Sequence, residues 1–115
     1  MKKQGLNLLT GPGNDIVSTT NLTAAGANII LFTTGRGTPL GASVPTIKVA
    51  SNSRLAKRKS NWIDFNAGDL IKSNDFENMT EEIFKLLIDI ASGRQTKNEQ
   101  NGYRDISIFK DGVIM

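Results

Sequence analysis

The residues best suited to chemistry lie in three polar, glycine-containing segments, each after a predicted strand: residues 10–15, 33–38 and 66–69. In the second segment Thr34 and Thr38 offer hydroxyls, and the glycines between them let the backbone approach a ligand closely. Arg36 supplies a planar fork that pairs with a carboxylate or a phosphate. The segment therefore predicts an anion site, and the alternative is an arginine salt-bridged across a glycine-rich turn.

The other candidates leave alternatives open. The first segment precedes a predicted helix N-terminus, a natural anion site, but lacks the P-loop ending and the dinucleotide glycine spacing, so an ordinary turn and cap is equally open. Asp15, Asp64 and Asp69 could coordinate a hard cation, although such carboxylates are commonly caps or solvated charges. Lys48 could be a base or a carboxylate anchor, although a strand lysine usually points to solvent.

Composition excludes several kinds of chemistry. The 115 residues contain no cysteine and no histidine, which excludes thiolate metal sites, cysteine nucleophiles and histidine bases within this chain. The net charge is only +3, and the dense basic cluster at residues 54–59 has no interleaved aromatic, so it predicts a solvated helix face rather than a nucleic-acid site. No stretch approaches the roughly 20 apolar residues of a membrane helix. We therefore predict a cytoplasmic protein without nucleic-acid or membrane partners.

The elements that must position these segments alternate along the chain. Apolar runs predict strands at residues 6–9, 27–33, 45–50, 62–65 and 106–109, the second covered on both faces. Caps and periodicity predict helices at residues 16–25, from 52 or 53 to 59, and from 76 to about 92, with a polar loop over 94–104. This order predicts an α/β fold with a partial, mainly parallel sheet flanked by helices. We expect residues 1–115 to form a single domain, with 94–115 as its polar loop and terminal strand extension.

Several blocks of this sequence resemble the C-terminal region of the altronate and galactarate dehydratase family. They are GPGNDIVSTT at 11–20, GANIILFTTGRG at 26–37, PTIK at 45–48, WIDFNAG at 62–68 and the segment from 98 to 112. The resemblance implies a Rossmann-like variant and a sugar-acid hydro-lyase that forms a 2-keto-3-deoxy acid. It also implies a divalent metal, Fe²⁺, as cofactor of the full-length enzyme, with none bound by this part alone as the alternative. Family members are several times longer, so the chain is expected to be the last part of such an enzyme.

Roles can then be placed on the matching blocks, without taking any residue assignment from the family. We predict that Arg36 pairs with the sugar-acid carboxylate, that Asp15 contacts the metal or its ligands, and that four side chains bond the sugar hydroxyls: Thr34, Thr20, Asn21 and Asn66. Because the chain has no histidine, part of the catalytic set is expected elsewhere, and the chain alone is expected to be inactive. A cut sheet leaves a free edge, which predicts self-association or pairing with upstream domains. The alternatives are a non-catalytic anion-binding module and a subunit that completes a partner chain.

Overall fold

A computed structural model describes residues 4–108, in which three parallel strands form one sheet flanked by helices. The strands lie in the order β1-β2-β3, which confirms the predicted α/β class and parallel sheet. The elements are α1 (Asp15–Ala24), β1 (Ile30–Thr34), β2 (Thr46–Ala50), α2 (Ser53–Arg58), β3 (Phe65–Asn66), a 3₁₀ turn (Ala67–Asp69), α3 (Leu70–Ser73), α4 (Phe76–Ala91) and α5 (Lys97–Gln100). Within these residues, no helix has the length and apolarity needed to cross a membrane.

The main core lies between β2 and α4. All five residues of β2 are buried, as expected for the central strand of a parallel sheet. Ile47 and Val49 contact Ile90 of α4, and further apolar side chains pack around them: Ile29, Phe65, Ala67, Ile83, Leu86 and Leu87. The later part of the predicted apolar stripe of α4 is therefore core packing, whereas Phe76 at its start is 68% exposed. The predicted cap is confirmed, since the Asp75 carboxylate accepts from the Asn78 backbone amide at 3.1 Å.

A second, smaller core holds α2 against the end of β2. It consists of Ala50, Leu55 and Ile63. The helix begins where the Asn52 side chain accepts a hydrogen bond from the Leu55 amide at 2.8 Å, which confirms one of the two predicted caps. Gly68 lies so close to this start that a Cβ on it would be 2.3 Å from the Ser53 backbone nitrogen. Only glycine lets these two backbones approach in this way.

Strand β1 differs from the prediction in its burial. It was expected to be covered on both faces, but Leu31 is 51% exposed and Thr33 is also exposed. In the strand register Leu31 lies beside Ile47. Helix α4 covers Ile47 in the central strand and leaves Leu31 at the edge exposed. The apolar run therefore predicted the strand correctly but predicted its burial incorrectly.

Two predicted strands are wrong and one is shorter than expected. Residues 6–9 form no strand, and Leu6 and Leu8 are more than 90% exposed, since no neighbouring strand offers them a ladder. Residues 106–108 also form no strand, while Phe109, the turn after it and the final residues lie outside the described part. The strand predicted at 62–65 is reduced to β3, because a turn follows α2 through residue 62.

The segment predicted as a polar loop at 94–104 contains helix α5. It begins with a capping box in which Thr96 and Glu99 satisfy each other's backbone amides. Thr96 and Asn98 are buried, and the Asn98 side-chain amide donates to the Leu40 carbonyl at 3.1 Å. The prediction failed because this helix is too short and too polar to show an apolar face.

Candidate functional site

The carboxyl ends of the three strands bring two of the predicted site residues to one edge of the sheet. Thr34 at the end of β1 lies beside Ala50, and Ala50 lies beside Asn66 at the end of β3. The segments after β1 and β3 therefore meet at this edge, as predicted for ligand sites in parallel sheets. The segment at residues 10–15 follows no strand in the structure.

The turn that carries Arg36 is fixed by hydrogen bonds on both sides of that residue. The Thr34 hydroxyl accepts from the Gly37 amide at 2.9 Å, and the Asn52 side chain donates to the Gly35 carbonyl at 3.0 Å. Gly37 has a φ of +84°, in the left-handed region that favours glycine. The backbone is thus held while the Arg36 side chain stays exposed.

Beside this turn lies an open groove of about 540 Å³ lined by three arginines. Its lining residues are Gly35, Arg36, Asn52, Arg54, Leu55 and Arg58. None of them is acidic. The ion pairs among residues 4–108 join Arg94 to Asp89 and Arg104 to Glu99, so none of the described carboxylates pairs with the groove arginines. The alternative in which Arg36 is salt-bridged across its turn is therefore wrong for the described residues.

Arg54 and Arg58 were missed as site residues by sequence analysis, which treated their cluster as a solvated helix face. Their spacing of four places both side chains on one face of α2, next to each other. Two like charges at this spacing repel, and Arg54 is near the helix N-terminus, where the helix dipole disfavours a cation. An anion in the groove would relieve both costs.

Three other predicted site residues have clear structural partners. The Asn66 side chain accepts from the Gly68 amide at 3.1 Å and so begins the 3₁₀ turn. On α1, the Thr20 hydroxyl donates to the Ile16 carbonyl at 2.7 Å and accepts from the Ser107 amide at 3.0 Å. The Asn21 side chain contacts the Thr10 carbonyl at 3.5 Å. Thr20 and Asn21 are not among the residues that line the groove, so their role in binding hydroxyls stays a prediction, as does that of Asn66.

Lys48 is buried, contrary to the expectation that a strand lysine points to solvent. It is 0% exposed, and its ammonium donates to the Thr38 carbonyl at 2.7 Å. The nitrogen is also 5.1 Å from the centre of the Phe32 ring, which is its neighbour in the strand register. Burial lowers the pKa of Lys48 from 10.5 to about 8, and the carboxylates of three residues oppose this shift: Asp64, Asp15 and Asp105.

The carboxylates considered as metal ligands are not grouped around a common point. Asp64 accepts from the Lys48 amide at 2.8 Å and from the Lys97 amide at 2.9 Å, which joins β2 to α5. Asp69 accepts from the Ser53 hydroxyl at 2.7 Å. Asp15 is exposed at the first position of α1. Within residues 4–108, no three metal-ligating side chains come together, so the described part does not offer the ligand set that the implied divalent metal needs.

The structure is thus a small α/β domain with a groove lined by three arginines at the carboxyl edge of its sheet. Comparison with known proteins gives its family: the model described as D-galactarate/Altronate dehydratase, C-terminal, matches residues 1–114. The chain belongs to this family and corresponds to its C-terminal domain, which confirms the predicted resemblance.

Individual relatives agree with this assignment. The chain is 50% identical over its full length to an altronate dehydratase of Escherichia coli (strain K12), and 47% identical to one of Bacillus subtilis (strain 168), covering 23% of each relative. It is 36% identical to a galactarate dehydratase (L-threo-forming) of Escherichia coli (strain K12), with 97% of this chain and 22% of that relative covered. The chain thus spans about a quarter of the length of the curated relatives it matches.

Proposed function

We propose that this chain is the C-terminal part of a sugar-acid hydro-lyase that converts altronate to 2-keto-3-deoxygluconate and water, and that it contributes substrate binding. The observation that carries the proposal is the groove lined by three arginines, none of them paired with a carboxylate of the described residues. Family membership supplies the substrate class, because the relatives with 47–50% identity are named altronate dehydratases.

In this proposal Arg36 binds the substrate carboxylate. A guanidinium pairs with a carboxylate through two parallel hydrogen bonds, and the fixed turn around Arg36 holds that fork in one place. Arg54 and Arg58 add positive potential along the same groove. Thr34 and Asn66, at the same sheet edge, are proposed to bind the hydroxyls of the sugar chain, with Thr20 and Asn21 as further candidates.

Proton transfer and elimination are assigned to groups other than those of this groove. A base must remove the proton next to the carboxylate and an acid must assist the loss of hydroxide. The groove is lined by arginines, which stay protonated, and by residues without acid–base groups near neutral pH. We therefore propose that the chain alone binds altronate and does not turn it over. Because the described residues offer no metal-ligand group, we derive no step through a metal.

The test is altronate binding to the chain, measured by isothermal titration calorimetry. Arg36→Gln should weaken binding by about tenfold or more, since a charge-assisted pair contributes roughly 1.5–3 kcal/mol. Lys57→Gln is the matched control, because Lys57 is an exposed cation on α2 that does not line the groove. Equal affinities of the wild type and Arg36→Gln would refute the role of Arg36.

A second candidate function is a non-catalytic anion-binding module, for which a groove lined by three arginines is also suited. Hexanoate separates the two candidates, because it has the six carbons and the carboxylate of altronate without the hydroxyls. Substrate binding predicts a clear preference for altronate, whereas a general anion module predicts similar affinities. Altronate turnover by the chain with Fe²⁺ under reducing conditions would contradict the proposal that it is inactive alone.

A further inference from the structure

One buried charged group, the ammonium of Lys48, has no role in the proposed binding groove. This group is fully buried in the centre of β2 and donates one hydrogen bond, to the Thr38 carbonyl at 2.7 Å. An ammonium in this position faces water with none of its donors, so its solvation must come from Thr38, from the Phe32 ring and from nearby carboxylates.

Keeping a charge there is costly. Burial disfavours the ammonium, and an apolar side chain of similar length would fill the same space without that penalty. The charged groups that act on Lys48 come from three parts of the chain: Asp64 before β3, Asp15 at the start of α1, and Asp105 after α5. They reduce the cost without removing it, because the pKa of Lys48 remains well below 10.5. A stabilising role in the core therefore does not account for this lysine.

The partner of Lys48 shows what the charge does. Thr38 is two residues after Arg36, at the end of the turn that forms one wall of the groove. The turn has three attachments: Asn52 to the Gly35 carbonyl, the Gly37 amide to Thr34, and Lys48 to the Thr38 carbonyl. The attachment through Asn52 comes from the cap of α2, and the attachment through Thr34 comes from the sheet edge. The third connects the turn to the middle of the central strand.

We propose that Lys48 is a positioning residue that holds the turn carrying Arg36 in its anion-binding geometry. The inference rests on the proposed function, in which Arg36 binds the substrate carboxylate. A two-point guanidinium–carboxylate pair requires the fork to be placed within a fraction of an ångström. A charge-assisted hydrogen bond is about twice as strong as a neutral one. The hydrogen bond from Lys48 therefore fixes the turn more firmly than an apolar side chain would, since an apolar side chain leaves the Thr38 carbonyl without its donor.

The experiment compares the wild-type chain with Lys48→Met and Lys48→Arg. The first readout is the hydrogen-exchange protection of the Gly37 amide, which is bonded within the turn, against that of the Val49 amide in β2. Lys48→Met should reduce Gly37 protection by about tenfold and leave Val49 unchanged. Altronate affinity should fall by about fivefold. Lys48→Arg, which keeps the charge and the donors, should restore both values toward those of the wild type.

A pH profile supplies a readout that a purely structural role would not change. Between about pH 7 and about pH 9.5 the Gly37 protection of the wild type should increase relative to that of Val49, because opening the turn uncovers Lys48 and the opened state binds the proton more tightly than the closed state. Lys48→Met should show no such increase, and Lys57→Met, which changes an exposed lysine of α2, should behave as the wild type.

The outcomes separate this inference from the proposed function. If Lys48→Met has wild-type Gly37 protection and affinity, the positioning role is overturned while altronate binding through Arg36 stands. If the wild-type chain binds no altronate, the proposed function fails, and Gly37 protection alone then supports or overturns the attachment by Lys48. If Lys48→Met does not fold, the pH dependence of Gly37 protection in the wild type decides, since protection that does not change with pH overturns the inference.

Discussion

Raising the pH should stabilise the folded chain, and Lys48 is the reason. The folded pKa of this lysine is lowered to about 8, whereas an unfolded chain gives it the ordinary value of 10.5. Below the folded pKa both states carry the proton, and the full cost of burying the charge is present. Between the two pKa values the unfolded state binds more protons than the folded state. Proton linkage then requires the free energy of unfolding to increase with pH across that window.

The size of this effect follows from the shift. One pKa unit corresponds to about 1.4 kcal/mol, so a change from 10.5 to about 8 corresponds to at most roughly 3 kcal/mol. Most of it falls between about pH 7 and about pH 9.5, where two-state linkage gives an increase of about 2 kcal/mol.

Urea unfolding of the wild type, Lys48→Met and Lys57→Met at these two pH values provides the measurement. The increase should be present in the wild type and in Lys57→Met, and absent in Lys48→Met. Comparing slopes in pH avoids a difficulty with Lys48→Met, which removes a buried charge but also leaves the Thr38 carbonyl without its donor. If the free energy of unfolding depended on pH equally in the wild type and in Lys48→Met, the pKa of Lys48 would not be lowered in the folded chain.

Two further predictions concern the fold and its free edge. Gly68→Ala should destabilise the chain by about 2–4 kcal/mol, because the new Cβ would lie 2.3–2.5 Å from backbone atoms of Ser53 and Asn52. Gly13→Ala is the control, since its new Cβ would meet nothing within 4 Å. Thermal unfolding compares the two variants, and equal losses of stability would contradict the packing argument. We also expect self-association, because β1 has no second strand on its outer side within residues 4–108 and its Leu31 is 51% exposed. A folded monomer at all concentrations in sedimentation velocity would contradict this expectation.

The parts of the fold that could be predicted are those with a local signal strong enough to decide them. Helix α4 has a long apolar period and a capping aspartate, and α2 has an asparagine cap. The Arg36 turn was predicted from its glycines and hydroxyls, and the structure confirms that it lies at the carboxyl edge of a parallel sheet. In each case residues within about one turn of each other supply the physical cause.

The features that sequence analysis missed depend on neighbours far along the chain. Leu31 is exposed because α4 packs over the adjacent strand, which an apolar run cannot report. Lys48 is buried because the segment after β1 covers it, and the Thr38 carbonyl accepts a hydrogen bond from its ammonium. Arg54 and Arg58 join Arg36 in one groove only through the tertiary placement of α2. The one signal available for them was their spacing of four on a short helix.

The contacts of the residues considered as bases or metal ligands also decide which steps this site can perform. Lys48 was considered as a base, but in this structure it is 0% exposed, donates to a backbone carbonyl and is not among the residues that line the groove. Both Asp64 oxygens accept backbone amides, and Asp69 accepts a serine hydroxyl, so these carboxylates hold structure. The groove presents three permanent cations, one of which, Arg36, is on a turn fixed at three points. Such an arrangement is suited to holding an anion in one orientation and poorly suited to moving its protons, which is why binding, and not proton transfer, is the role proposed for this chain.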